Sequence, residues 1–280
     1  MRKISADKIS QTVESLCLHT VCHLDEELIG MLTESRRNED SPLAREILGQ
    51  IIENARIAGE QSIPSCQDTG TPVFFIELGR EAVIADPGLR EAVDRGVRRA
   101  CRAAYLRASI VADPFRRENT GDNTPAIIHF FPADGDRLSI TLMAKGAGSE
   151  NMSALKMFTP ADEREEIMNF IVGVVKEAGP NPCPPLIVGI GLGGNFEEAP
   201  LLAKRALLRP FREEHPDPFY ARMERDLVKR INQTGIGPAG LGGKTTCLNC
   251  HILTAPCHIA SLPVAVNLQC HAARHKTALL

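Results

Sequence analysis

Residues 185–194, PLIVGIGLGG, constrain the fold more than any other stretch of the chain. An unbroken apolar run of this length, ending in glycines, predicts a buried strand that runs into a tight turn. A buried strand needs packed layers around it. Two helical segments follow, FEEAPLLAKRALL and DPFYARMERDLVKRINQTG, the second closed by Gly235.

The rest of the chain repeats this mixture. Between residues 5 and 60 the apolar positions Ile9, Val13, Leu16 and Val21, and then Leu43, Ile47, Ile51 and Ile52, fall at helical spacing. Ser41 and Pro42 open the second of these stripes as a cap and first-turn proline. PVFFIEL at 72–78 predicts a strand. Residues 126–146, AIIHFFPADGDRLSITLMAKG, predict a hairpin about Asp134-Gly135. Helices are predicted over 87–110, behind Pro87 and Gly88, and over 160–178, behind Thr159; the tail from 236 is Gly-rich and then Cys/His-rich. The expected fold is mixed α/β, a helical N-terminal lobe packed on a small mixed β-sheet with flanking helices. It is expected as a single domain over 1–280, with 1–62 mainly helical and 63–280 the α/β part.

Composition narrows the function classes. The chain has 280 residues, 43% hydrophobic and 24% charged, the profile of a globular protein with a real core. A net charge of −3 and 4% aromatic residues without Trp argue against a nucleic-acid surface or a base-stacking platform. No apolar run reaches the roughly 18–20 residues of a membrane span, and MRKISADKISQTVESL lacks a secretory h-region, so a cytoplasmic protein off the membrane is expected.

Nine irregularly spaced cysteines are not a disulfide framework, and in a reducing compartment they point to metal binding or catalysis. Cys17, Cys22 and Cys101 sit in helical segments with apolar neighbours and read as buried small hydrophobes. CLNCHILTAPCH offers Cys247, Cys250, His251, Cys257 and His258 as zinc ligands, although an adjacent Cys-His pair rarely reaches one tetrahedral ion. Gly189, Gly191 and Gly194 satisfy G-x-G-x-x-G, with Glu213 and Glu214 about 20 residues on as ribose-binding acids, the pattern of a dinucleotide site. The same glycines read equally as a turn with close strand–helix packing, or as an anion site. Cys66, Cys183 and Cys270 lie beside turns at the borders of apolar runs, where a fold could gather them on one rim. Three thiolates without a fourth leave a coordination position open.

CQDTGTPVFF, LRASIVADPFRRENTGDNTPAIIHF, AKGAGSENMSALKMFTP, CPPLIVGIGLGGNFEEAPLLAKRALLRP and GIGPAGLGGKTTCLNCHILTAPCHIASLPVAVNLQCHAARH decide among these readings. Together they resemble the α portion of the class I, iron–sulfur fumarate hydratases, and the related L-tartrate dehydratase α subunits share much of the pattern. The resemblance runs from about residue 10 onward. It implies a hydro-lyase that reversibly hydrates fumarate to L-malate, with Cys66, Cys183 and Cys270 as ligands of a [4Fe–4S] cluster whose open iron is the Lewis acid. It implies Gln67, Arg107 and Gly146 as binders of the dicarboxylate substrate, and Asp68, helped by His258, as the group that protonates the departing hydroxyl. Cys247, Cys250 and Cys257 depart from the family pattern and compete with Cys270 for the third ligand position. The chain stops ten residues after Cys270, so a separate β subunit is expected to complete the site, in an α2β2 assembly or beside a homodimer of α. L-Tartrate dehydratase is the alternative within the class. A zinc-stabilised non-enzymatic subunit and a dinucleotide-binding oxidoreductase are the alternatives outside it.

Overall fold

The structure, a computed structural model, describes residues 1–85 and 88–280. Pro87, the expected helix opener, lies outside them. In chain order the elements are β1 (Arg2–Ile4), α1 (Ala6–Cys22), α2 (Glu26–Asn38), α3 (Pro42–Gln61), β2 (Thr71–Gly79), β3 (Ala82–Ile84) and α4 (Leu89–Ala103). There follow β4 (Ile127–Ala133), β5 (Leu138–Lys145), α5 (Ala147–Glu150), β6 (Ala154–Phe158), α6 (Arg164–Ala178), β7 (Leu186–Gly194), α7 (Glu198–Ala206) and α8 (Pro218–Asn232). Strands β8 (Cys247–Cys257), β9 (Leu262–Gln269) and β10 (His275–Leu279) complete the order. The fold is mixed α/β. The chain divides into two compact units, one of residues 1–24, 54–147 and 274–280, the other of 25–53 and 148–273.

The first unit is a four-stranded mixed sheet, in the order β10-β5-β2-β4, with α1 and α4 on one face. Ser5 caps α1 by accepting from the Lys8 N–H, and the stripe Ile9, Val13 and Leu16 is buried against Val93, Val97 and Phe74. Each such side chain contributes about 1.5–3 kcal/mol on burial. The hairpin expected at 126–146 does not form. Strand β2 lies between β4 and β5, parallel to the first and antiparallel to the second. Val73–Ile76 are buried throughout, and a strand apolar on both faces takes the central place. The loop between β4 and β5 therefore arches over the end of β2. There Gly79 N–H donates to the Arg137 carbonyl (2.8 Å), and a Cβ on Gly79 would meet the Gly135 oxygen at 2.3 Å. The helix expected over 87–110 stops at Ala103. Tyr105 takes φ +51, and the chain then runs as an irregular loop in which Val111 and Asn119 make one antiparallel bridge.

The second unit is a four-stranded sheet, β6-β9-β7-β8, packed on α6, α7 and α8. Leu186, Val188, Ile190, Ile252, Val264, Val266 and Leu268 build its core with Ile171, Val175, Leu227 and Ile231. Asp217 caps α8 and Pro218 is its first residue. Helix α6 starts at Arg164 rather than near 160, because Glu163 and Glu166 form a capping box. α1 belongs to the first unit, α2 to the second, and α3 has residues in both. The Cys/His-rich tail is three strands, with β8 parallel to β7 after a crossover through α7 and α8.

Candidate active site

In the first unit the loop before β2 carries three of the expected residues. Cys66 Sγ accepts from the Asp68 N–H at 3.4 Å. The Asp68 carboxyl is held at both oxygens, Oδ1 by the Gly70 N–H (2.9 Å) and Oδ2 by the Ala147 N–H (2.8 Å). Thr69 Oγ donates to the Arg107 carbonyl (2.8 Å), which also accepts from Asn123 Nδ2 (3.0 Å), so the Arg107 segment is tied to the cysteine loop. Cys66, Gln67, Arg107 and Arg274 line one cleft of about 200 Å³. The resemblance did not point to Arg274. Its Nη1 donates to the Asp68 carbonyl at 2.8 Å, and Ala144 N–H donates to its own carbonyl at 2.9 Å. Gly146 follows β5, and a Cβ there would lie 3.3 Å from Asp68 Oδ2 and 3.7 Å from Arg274 Nη2. The bare glycine thus leaves a cradle between a carboxyl and a guanidinium.

In the second unit Cys183 precedes β7 and Cys270 follows β9, and these strands are antiparallel with Ile187 opposite Gln269. Both cysteines therefore lie at the same end of the sheet. Cys183 has φ +54, a left-handed backbone seldom adopted outside glycine and concentrated at functional sites. His271 fastens the two loops: its backbone N–H (3.3 Å) and its ring Nδ1–H (2.9 Å) both donate to the Cys183 carbonyl. Burial holds the His271 pKa below its usual value, against the raising effect of its hydrogen bonds to the Cys183 and Pro184 backbone. His258 is exposed in the turn between β8 and β9, where its Nδ1 accepts from the Ala260 N–H. That is the opposite end of β9, about 25 Å from the Cys270 end. The structure does not bring His258 to the rim of Cys183 and Cys270.

Burial sorts the nine free thiols. Cys17, Cys22, Cys101, Cys247 and Cys250 are buried, whereas Cys66, Cys183, Cys257 and Cys270 reach the surface. Burial pushes the pKa values of Cys17, Cys22, Cys101 and Cys250 up, which disfavours the thiolate that a metal needs. Three of the four accessible thiols are Cys66, Cys183 and Cys270; the fourth, Cys257, ends β8. Soft sulfur donors, one of them accepting a backbone N–H bond, suit an iron–sulfur group. Among the described residues no group of three or more His, Cys, Asp or Glu side chains is placed around a single metal ion. Ligands of a cluster bind separate irons and need not converge in that way.

The competing constellations come apart. Cys247 and Cys250 face each other at 3.7 Å inside β8, a bulge at Leu248 having put both on the core side, whereas Cys257 is the last residue of that strand and His258 follows it. These four do not gather about one zinc ion. Gly189 and Gly191 seat α7, since a Cβ on them would meet the carbonyl oxygens of Ala203 (2.1 Å) and Ala199 (2.0 Å). Gly193 and Gly194, at φ +88 and +68, make the turn, and Glu198 sits against it as an anion where a pyrophosphate would go. Glu213 and Glu214 are engaged by Arg209 and Arg225.

Comparison with known proteins points to one family. A family model described as fumarate hydratase (Fumerase) matches residues 10–279. A Methanocaldococcus jannaschii protein named "Putative L(+)-tartrate dehydratase subunit alpha" is 42% identical over 273 residues, 95% of each chain. An Escherichia coli O157:H7 protein named L(+)-tartrate dehydratase subunit alpha is 29% identical over 280 residues, 99% of this chain and 92% of its own.

Proposed function

The chain belongs to the fumarate hydratase (Fumerase) family, and from that premise we propose that it is the α subunit of an iron–sulfur hydro-lyase that interconverts fumarate and L-malate together with a separate β chain. The family supports a hydro-lyase; the substrate and the partner are our reading. The observation that carries it is the cleft that sets Cys66 beside Gln67, Arg107 and Arg274, next to the anchored carboxyl of Asp68.

Cys66, Cys183 and Cys270 would hold a [4Fe–4S] cluster. When bound, it supplies a Lewis-acidic iron that weakens the carbon–hydroxyl bond of malate. The remaining work falls to side chains. The planar Arg107 guanidinium, for which the described residues provide no carboxylate, takes one substrate carboxylate in a two-point contact. Gln67, exposed beside it, donates its amide N–H to the same anion. Asp68 delivers the proton to the departing hydroxyl from Oδ2, which borders the cradle left by Gly146. Its two backbone donors fix the carboxyl in orientation, which is what positioned proton transfer requires. The β chain supplies the base for the carbon-bound proton. His258 would assist Asp68 in protonating the departing hydroxyl.

A second reading, L(+)-tartrate as substrate, is favoured by the names of the relatives. The test is anaerobic co-expression with a β chain from the same organism, cluster loading, and assay on malate, fumarate and L(+)-tartrate. Brown protein that turns over malate and fumarate is expected. Turnover of tartrate alone selects the second reading. Colourless protein without hydro-lyase activity after iron and sulfide loading rejects both. No helix among the described residues is long and apolar enough to cross a membrane.

A further inference from the structure

Arg107 stands on no regular element. Helix α4 ends at Ala103, and residues 106–110 are neither helix nor strand. A long, exposed cationic side chain on such a loop has many arrangements to lose before it can hold an anion in one place. The backbone beneath it is nevertheless fixed, and the fixture is Asn123. That residue is 1% exposed and takes φ +59, a left-handed backbone that asparagine tolerates better than most side chains. Its Oδ1 accepts from the Ser109 N–H at 2.6 Å. Its Nδ2 donates to the Arg107 carbonyl at 3.0 Å and to Cys101 Sγ, in α4, at 3.2 Å. An N–H can only donate and a carbonyl can only accept, so these two neighbours fix which end of the amide is which. One buried side chain thus closes on the backbone at both sides of Ala108 and roots it in a helix.

We propose that Asn123 is the positioning residue of Arg107. It sets the direction in which the guanidinium enters the cleft beside Cys66 and Gln67, so substrate affinity depends on a side chain that does not line that cleft. The inference rests on the hydro-lyase reading, in which Arg107 takes a substrate carboxylate, and goes beyond it by naming the buried residue on which that contact depends. It also gives Cys101 a use besides filling space, since its sulfur takes the second N–H of the amide. Aspartate cannot replace the amide. It has the same shape, but its second oxygen would face the Arg107 carbonyl, acceptor against acceptor.

The test uses the full chain assembled with its β chain and loaded with cluster. KM and kcat, calorimetric binding of succinate, and deuterium exchange at the Ser109 amide are measured for the wild type, Asn123→Asp, Asn123→Ala, Arg107→Ala and the double variants. Either Asn123 variant is expected to raise KM roughly five- to fiftyfold with a smaller change in kcat, and to speed exchange at Ser109. In the Arg107→Ala background the same change is expected to add less than about twofold, because the group it positions is gone. An Asn123 that merely supports the fold would add its full effect in both backgrounds. Should both Asn123 variants misfold, Cys101→Ala, which removes only the helix end of the clamp, is expected to give the same Arg107-dependent rise in smaller measure. Wild-type KM in the folded variants, equal effects with and without Arg107, or unchanged exchange at Ser109 overturns the clamp. An active assembly whose KM ignores Asn123 sinks the clamp alone. A loaded assembly without hydro-lyase activity sinks the proposed reaction, and succinate binding then judges the clamp by the same dependence on Arg107; absence of that binding as well overturns both.

Discussion

Gly189→Ala tests what the glycine-rich strand is for. The new methyl would sit 2.1 Å from the Ala203 carbonyl oxygen and 2.8 Å from Leu207 Cγ. The oxygen belongs to the backbone of α7 and has no rotamer by which to retreat, so the helix must withdraw from β7 by roughly 1 Å. A gap of about 0.5–1 Å forfeits a quarter to a half of the contact energy across it. The α7 side chains that depend on that contact are Ala199, Leu202, Ala203 and Ala206, all buried. At about 0.8 kcal/mol per buried carbon group they contribute about 5–6 kcal/mol together, so the expected loss is about 1.5–3 kcal/mol. For a chain of this size that lowers Tm by about 3–10 °C in thermal melts followed by circular dichroism. Gly173→Ala is the control: it lies within α6, nothing stands within 4 Å of its Cβ, and alanine there is expected to stabilise by about 0.5–1 kcal/mol. Titration of both variants and wild type with NAD is expected to be flat. A Gly189→Ala protein that melts with the wild type, or a saturable NAD signal abolished by this substitution, would refute the argument and restore the dinucleotide reading.

Three further outcomes are expected. Native, cluster-free protein treated with iodoacetamide should modify Cys66, Cys183, Cys257 and Cys270 rapidly and the buried five slowly, and cluster loading should leave Cys257 alone reactive; mass mapping that finds Cys247 or Cys250 among the fast thiols contradicts this. Arg107→Ala should raise KM about ten- to a hundredfold with a smaller change in kcat, because it removes a carboxylate contact and not the proton donor; an unchanged KM counts against the assignment. The Asp162 pKa is lowered, chiefly by the Thr159 backbone N–H and then by its hydroxyl. A carboxyl with a depressed folded pKa adds stability that is present above its unfolded pKa near 4 and is lost as pH falls through the folded one. The acid limb of the wild-type stability curve should therefore be steeper than that of Asp162→Asn, and coincident limbs would contradict the bond.

What could be read from the chain beforehand follows from how local each cause is. Helix α3 opens at Pro42 because Ser41 accepts from the Ala44 N–H, chemistry contained within four residues. The run 186–190 is legible as a buried strand because burial on both faces leaves an unbroken apolar string. Strand β8 was hidden because its cysteines, histidine and asparagine imitate a metal motif. Only the bulge that turns Cys247 and Cys250 inward shows them as core. The place of β2 between β4 and β5 has no local signal, since a D-G turn promises a hairpin and only the two-sided burial of Val73–Ile76 overrules it. Cys66, Cys183 and Cys270 could be picked out by their turn-border positions, and all three reach the surface, as Cys257 also does. Arg274 could not, because its partner Asp68 is 206 residues away.

That separation also sets an order of events at the ribosome. The cysteine loop before β2 emerges early, yet the arginine that clasps it is translated 206 residues later, just ahead of the strand that pairs with β5. At roughly 5–20 residues per second, the nascent loop waits about 10–40 s before the Asp68 carbonyl gains that donor. The loop that carries Cys66 therefore takes its final form only at the end of translation, and any site built on it is completed last.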